Sequence, residues 1–427
     1  MKRLLLFPLL PLLCGCLKFE SQEIEFFYDA ARDRLTLHIV YQGLCHGDGE
    51  AEQDVAVLDK AVRDGDFCIL DWPFHVQFSD LRKAVDDEEA PPLGREAVAF
   101  VLENLTVENL GFFLDARGRL SGAQIVRVEK ASKMLELANR ALTEFALPEV
   151  LGEDPDAPDA ESQAMLREAA ERGHRWLRFQ GNSIEFAFFA SDTDLARLLD
   201  AALMGDDKEQ DDLRRFLATS TFSFLREGGG VTVRIGNPAG RSRVRFLEKS
   251  DVSYTPNLVD HVRESHGLGF DAALAPFVAT ESATLPGDRL RELLDALASP
   301  DAAARERAEA ELADAEGNAQ ELRKNKACPP RILAALDARA ERRRFFQSLP
   351  LSERVRLLLA KEGAASTKAL AAERDRLPPG ERADGPADLF LFWRERLDRE
   401  AKEAEERRAA SAKEAVRAEA VPEEGCD

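Results

Sequence analysis

Residues Arg175 to Ala190 constrain the fold more than any other stretch of this chain. Arg175 to Gln180 and Ser183 to Ala190 flank Gly181-Asn182, a two-residue pair of the kind that closes a β-hairpin. In the second arm Ile184, Phe186 and Phe188 alternate with smaller or polar residues, so one face of the strand is apolar. Ser191 then stands at a helix N-cap with Asp194 three residues on, a variant of the capping box. Leu195, Leu198, Leu199, Ala202 and Leu203 follow at the i, i+3, i+4, i+7, i+8 spacing of an amphipathic helix. A hairpin with one apolar face and a helix with one apolar stripe must cover each other.

The same strand, strand, helix order occurs twice before it. Glu23 to Asp29 and Arg34 to Leu44 surround the turn Ala30-Ala31-Arg32-Asp33, and Leu35, Leu37, Ile39 and Tyr41 share one face of the second strand. A helix over about Ala51 to Arg63 follows, carrying Val55, Leu58 and Val62. Between Leu105 and Ala146, Phe112-Phe113-Leu114-Asp115-Ala116 echoes Phe26-Phe27-Tyr28-Asp29-Ala30, and Arg119-Leu120 echoes Arg34-Leu35. Asp, Gly and Arg at turns account for the echo as well as duplication does. Three further strands are expected at Thr221 to Arg226, Val231 to Ile235 and Arg241 to Leu247. The pattern predicts an α+β class, with an antiparallel sheet carrying helices on one face.

Composition changes near Leu285, beyond which Ala, Leu, Glu and Arg dominate and no strand is expected. The organisation read from these shifts is a leader over 1–15, an α+β region over 16–150 and an acidic linker over 151–160. A second α+β region over 161–284, a helical region over 285–399 and a charged helical or disordered tail over 400–427 complete it. In the helical region Leu290, Leu293, Leu294 and Leu297 stripe one helix, and Ser299-Pro300-Asp301 starts the next. This pair, over residues 288–315, is similar to one HEAT-type helical repeat. A single repeat cannot bury its own faces, so neighbouring helices are expected near Arg331 to Phe346, Leu351 to Lys361 and Asp388 to Arg407.

The first residues speak to location. Lys2 and Arg3 precede ten apolar-run positions, Leu4 to Leu13, which include Pro8 and Pro11; Leu13-Cys14-Gly15-Cys16 closes the run. Ten positions are about half of the ~20 that a bilayer-spanning helix needs, and no A-x-A-like site ends the run as in a plain secretory signal. The stretch from Met1 to Leu17 resembles the lipobox signal of bacterial lipoproteins. That resemblance implies cleavage before Cys16, lipidation of Cys16 and, with Leu17 following, an outer-membrane address facing the periplasm. Two or more acyl chains anchor a protein stably, where one holds it only marginally. Loss of Lys2 and Arg3 takes the formal charge from −21 to −23. So acidic a chain excludes nucleic acid as a partner and leaves adhesion to the lipid anchor.

An exported chain can hold disulfides. Besides Cys16, the mature chain keeps Cys45, Cys68, Cys328 and Cys426, of which Cys45 with Cys68 is the expected pair. Closing that loop would stabilise by about 3 kcal/mol.

Candidate chemistry is sparse. The histidines are His38, His46, His75, His174, His261 and His266; the last two are five apart, which is not the i, i+4 spacing of a helical zinc pair. Cys45-His46-Gly47-Asp48 offers mixed ligands without the three or four that a metal needs. Asp154-Pro155-Asp156-Ala157-Pro158-Asp159 lacks the Gly and closing Glu of a calcium loop. There is no G-x-S-x-G elbow and no P-loop. The reading therefore names no catalytic residue, metal or other cofactor. One stripe stands out: Arg241, Arg243 and Arg245 share one face of a strand, and Arg234 points from its neighbour. If those strands pair, the four form a basic patch for an anionic glycan, a headgroup or an acidic envelope protein; the alternative is pairing with the chain's own carboxylates. The functional expectation is a tethered binding or scaffolding protein. The alternatives are an exported hydrolase-like enzyme and a ligand-binding lipoprotein with a pocket behind its sheet.

Overall fold

Two hairpins lie side by side in one antiparallel sheet, and everything else in the first part of the chain is arranged around them. The computed structural model describes residues 17–46, 55–56, 58–59, 67–69, 75–85, 90–115, 118–152, 158–194, 221–227, 230–247, 256–274, 283–326, 328–361, 363–383 and 385–419. In chain order the strands are β1 (Leu17–Lys18), β2 (Ser21–Asp29), β3 (Arg34–Gln42), β4 (Cys45–His46), β5 (Phe67–Ile69), β6 (His75–Gln77) and β7 (Leu105–Leu114). They continue with β8 (Leu120–Glu129), β9 (Leu177–Phe179), β10 (Ser183–Phe189), β11 (Phe222–Glu227), β12 (Gly230–Gly236) and β13 (Ser242–Leu247). The five-stranded sheet runs β13-β2-β3-β8-β7, and a separate four-stranded sheet runs β11-β12-β10-β9. The class is α+β. The three hairpins do not share one sheet, however: the third belongs to the smaller one.

β3 is covered on both faces, so the period of two in its sequence is not mirrored in its burial: Thr36, His38 and Val40 are buried as well, and Leu37 only partly so. Leu35, Ile39 and Tyr41 are buried, alongside Phe26 on β2 and Val126 and Val128 on β8. The helices Pro92–Asn104 and Ala131–Ala141 close one end of this face with Leu93, Phe100 and Leu137. Leu58, with Leu258, Val259 and Val262 of the helix Pro256–Ser265, closes the other. Each such side chain contributes about 1.5–3 kcal/mol by leaving water.

Turn residues tie these layers together. Asp33, at φ +50, sits in the β2–β3 turn. Its carbonyl accepts from Ala131 N–H and its carboxylate accepts from both the N–H and the hydroxyl of Ser132. The start of the helix Ala131–Ala141, whose own N-cap Lys130 makes no side-chain cap bond, is thereby capped from a residue far away in sequence. Gly181 takes φ +56 in the predicted Gly181-Asn182 turn, and a Cβ there would lie 2.3 Å from the carbonyl oxygen of Pro238. Asn182 donates from its backbone N–H to Pro238 and from its side chain to the Gly240 carbonyl, so two turns clasp each other. Ser191 caps as expected, accepting from Asp194 N–H. The stripe beyond it, from Leu195, lies outside the described residues, as do the leader Met1 to Cys16 and the tip of the tail.

The chain divides into two compact units, the first taking residues 1–115 and 119–268 and the second residues 116–118 and 269–427. This differs from the division read from composition. β13 pairs along the whole of Ser21 to Phe26 on β2, so the regions 16–150 and 161–284 are parts of one unit rather than two. The acidic linker is half accounted for: Asp159 caps the helix Ala160–Glu171 by accepting from Ser162 N–H, and 153–157 lie outside the described residues. In the second unit every described element is helical. Gly287–Ala296 and Ala302–Asp314 form the expected pair, with Asp301 capping the latter. Leu290, Leu293, Ala308 and Leu312 pack with Leu322, Ile332 and Leu336, so the helix Pro330–Ser348 supplies the cover that one pair lacks. Leu351–Ala360, Ala364–Asp375 and Leu389–Glu419 complete the unit, together with short helices; Ala364–Asp375 has no counterpart in the sequence reading.

Candidate functional site

The helix Pro256–Ser265 is held by Leu258 and Val262, both at 0% exposure, pressed on the five-stranded sheet. Its polar side carries His261. At its end Gly267 adopts φ +73, and the N–H groups of His266 and Gly267 both donate to the Val262 carbonyl. His266 thus keeps the last i→i−4 bond of the helix, and the chain turns away at Gly267. Across from them Val55, Ala56, Leu58 and Asp59 are helical, and the buried Leu58 fixes the backbone beside Asp59.

The three polar side chains meet at one atom. His261 Nε2 lies 2.7 Å and His266 Nε2 2.6 Å from the same oxygen, Asp59 Oδ1. The two imidazole rings stand edge to face with centroids 5.9 Å apart, and Phe112 flanks His266. All three side chains are partly buried. Burial pushes the Asp59 carboxyl up, but the hydrogen bonds and charges of His261 and His266 outweigh it and hold the group below the usual carboxylate range. Among the described residues this is the one group of three or more histidine, cysteine or carboxylate side chains whose ligand atoms converge, all within 4.8 Å of one another.

By spacing alone His261 and His266, five apart, do not share a helix face. The rule is sound for an uninterrupted helix, but this one ends between them. Gly267-Leu268-Gly269 was the available signal, since glycine just past a helix marks its termination. Asp59 carried no signal at all.

The arginine stripe resolves differently. β12 and β13 do not pair; they lie in different sheets, so the basic patch conditional on their pairing does not form. Arg234 binds Glu185, its neighbour across the β10–β12 ladder, through Nε and Nη2 at 2.8 and 2.6 Å. Arg178, opposite Glu185 on β9, donates to its other oxygen. Arg241 makes two hydrogen bonds to Glu25, and Arg243 and Arg245 lie 4.0 and 3.5 Å from Glu23. The four arginines thus engage carboxylates of their own sheets, with Glu25 at 3% and Glu185 at 1% exposure.

No family model matches the chain, and neither the curated proteins nor the solved structures contain a match.

Glu185 makes a pH-dependent prediction. Burial pushes its carboxyl up, but the hydrogen bonds and charges of Arg234 and Arg178 more than offset this and leave it below the ordinary range. A depressed native value means that the unfolded chain takes the proton first as pH falls. The stabilisation is therefore complete above the ordinary carboxylate range and drains away as pH drops through the native value. Glu185→Gln should cost about 2 kcal/mol at neutral pH, the scale of a charge-assisted hydrogen bond. In urea titrations at a series of pH values, the gap between wild type and variant should narrow on acidification; a constant gap would show that the charge is not what matters.

The remaining candidates have structural roles or fall outside view. Cys45 is buried on β4; the side chain of Cys68 lies outside the described residues, and so does the expected pairing between them. Cys328 is a free, buried thiol that burial pushes up, which makes it a poor nucleophile. His174 bonds the Ala187 carbonyl and packs edge-on against Trp176 and Phe189. The side chains of His46 and His75, residues 47–48, and the acidic run from Asp206 to Asp212 lie outside the described residues.

Proposed function

We propose that this chain is a lipid-tethered envelope protein that holds its folded body close to a membrane through Cys16 and serves there as a binding or scaffolding component. The observation that carries this reading is the Leu13-Cys14-Gly15-Cys16 sequence after a charged start and a short apolar run. The fold adds a consequence. Phe19 is already core at 3% exposure, and Glu20 N–H already bonds the Gln42 carbonyl. Only Leu17 and Lys18 separate Cys16 from that core, three residue steps and a reach of about 10 Å at 3.3–3.6 Å per residue. On this reading the α+β unit lies against the headgroups rather than at the end of a long tether. Its acidic surface gains little from anionic lipid, so the acyl chains supply the attachment. The helical unit is the part offered to an envelope partner.

Membrane fractionation with intact-mass measurement tests the reading directly. Wild type should partition with membranes and carry the added mass of acyl chains, while Cys16→Ala should be released at unmodified mass. Two soluble, unmodified proteins would remove the tether and every inference of compartment that follows from it. An exported hydrolase-like enzyme is the second reading, favoured by the convergence of Asp59, His261 and His266.

A further inference from the structure

We propose that Asp59, His261 and His266 form a site for one divalent transition-metal ion of the zinc type, with an open position for water or a ligand. The inference stands apart from the tether, since it rests only on side chains of the α+β unit.

Geometry is the first support. Two imidazole nitrogens aimed at one carboxylate oxygen define a single point of convergence, unlike two separate His–Asp pairs that happen to be near. With metal–ligand bonds of about 2.0–2.1 Å, the edges of a tetrahedral site are about 3.3–3.4 Å. The present His–Asp separations are 2.7 and 2.6 Å. An ion therefore enters if each of these two edges opens by less than 1 Å, the third edge, between the two imidazole nitrogens, lying within 4.8 Å. Both Nε2 atoms now serve as N–H donors to the carboxylate. For an ion to bind, each neutral imidazole moves its proton from Nε2 to Nδ1 through solvent, so that Nε2 offers its lone pair and no proton is lost overall.

The donor set selects the ion. Two nitrogens and one carboxylate oxygen suit zinc and its first-row neighbours, whereas calcium and magnesium demand oxygen ligands. Three protein ligands leave at least one coordination position unfilled, the arrangement of a reactive or exchangeable site rather than a closed structural one.

The setting favours a cation as well. His266 lies just past the C-terminus of the helix Pro256–Ser265, where the macrodipole is negative. Leu58, Leu258, Val259 and Val262 share one buried cluster, which anchors both backbone segments. Side-chain exposures of 27% for Asp59, 26% for His261 and 15% for His266 leave a path from solvent. Backbone anchored by an apolar cluster pre-orients the polar ligands of a metal site.

The experiment uses the full-length chain, stripped with chelator and titrated with Co²⁺, followed by displacement with Zn²⁺. One equivalent should bind saturably, with the intense visible bands of a four- or five-coordinate Co²⁺ ion, and Zn²⁺ should abolish them while Ca²⁺ does not. His261→Ala and His266→Ala should each weaken binding by at least about tenfold. Asp260→Asn, at an exposed carboxylate paired with Arg263 on the same helix, should leave it unchanged. X-ray absorption on the Zn²⁺-loaded wild type requires no variant and should show scattering from two imidazoles. Weak, unsaturable uptake, the signature of a strongly acidic surface, would overturn the proposal. So would a zinc spectrum without imidazole, or unchanged binding in the double histidine variant with native circular dichroism.

Discussion

Arg119→Met is expected to destabilise the α+β unit by about 3–5 kcal/mol, the cost of leaving a buried charge without its partner. The turn between β7 and β8 is organised by Asp115 and Arg119. Their backbones exchange a hydrogen bond, and Arg119 N–H also donates to Asp115 Oδ1. The guanidinium reaches back to Asp115 Oδ2 through Nε at 2.8 Å and Nη2 at 2.5 Å, and pairs on its other side with Glu20. Arg119 and Asp115 are 4% and 6% exposed. In water such a pair contributes little; here both groups have lost their solvent, so each depends on the other. Arg119→Met with Asp115→Leu removes both charges and should recover more than half of the loss, because a buried ion pair and an apolar pair of similar volume are often close in free energy. Urea unfolding of the two single variants and the double variant would measure this as a coupling. Simple addition of the two single losses would show that the groups act separately and that the turn is held by its backbone alone.

The same turn shows where sequence reasoning reached and where it stopped. The apolar face of Leu35, Ile39 and Tyr41 and the Gly181-Asn182 turn are local, and the local structure has both, although the opposite face of β3 is buried too. The helix start at Ser299-Pro300-Asp301 falls later than its proline suggests, with Asp301 rather than Ser299 as the cap. The recurrence of Asp115 and Arg119 in the positions of Asp29 and Arg34 was legible as a motif, but the burial that gives the second pair its energy was not. What failed was pairing at a distance. β13 joins β2 over some two hundred residues of intervening chain, which places Arg241 on Glu25 and leaves β12 and Arg234 to another sheet. A strand carries its face in its sequence but not its neighbour, so four arginines that look like one patch become two internal ladders. The Asp59, His261 and His266 cluster was hidden for a related reason. A helix period can be read from spacing, whereas a ligand set drawn from two segments and the end of a helix exists only once the layers have packed.

In the helical unit the largest expected loss is at Trp393. Trp393→Ala should cost about 3–5 kcal/mol, the range for removing a large aromatic from a packed core. The side chain is 1% exposed, and its indole N–H donates to the Leu370 carbonyl at 3.0 Å, linking Leu389–Glu419 to Ala364–Asp375. Phe392 stands edge-on beside it at 5.2 Å, and the Arg396 guanidinium lies 6.0 Å from its ring centroid. Later in that helix the stabilising contacts are of a weaker kind. Arg396 with Glu400 and Lys402 with Glu406 are i, i+4 pairs at 2.9 and 3.9 Å, and such pairs contribute about 0.3–0.5 kcal/mol each. Among the described side chains, those of its first turns dock the helix most firmly. Trp393→Phe keeps most of the apolar contact and gives up the hydrogen bond, so about 1 kcal/mol of additional loss separates it from a purely steric change. Leu391→Ala, at a side chain 46% exposed two positions away, should move stability by less than about 0.5 kcal/mol. Hydrogen exchange locates the effect: in Trp393→Ala, protection should fall first across Leu389 to Glu403 and across Ala364–Asp375, while β2, β3 and β8 keep theirs. Equal loss in both units would mean that they unfold together. A cost below 1 kcal/mol would mean that the long helix is held by something other than its tryptophan.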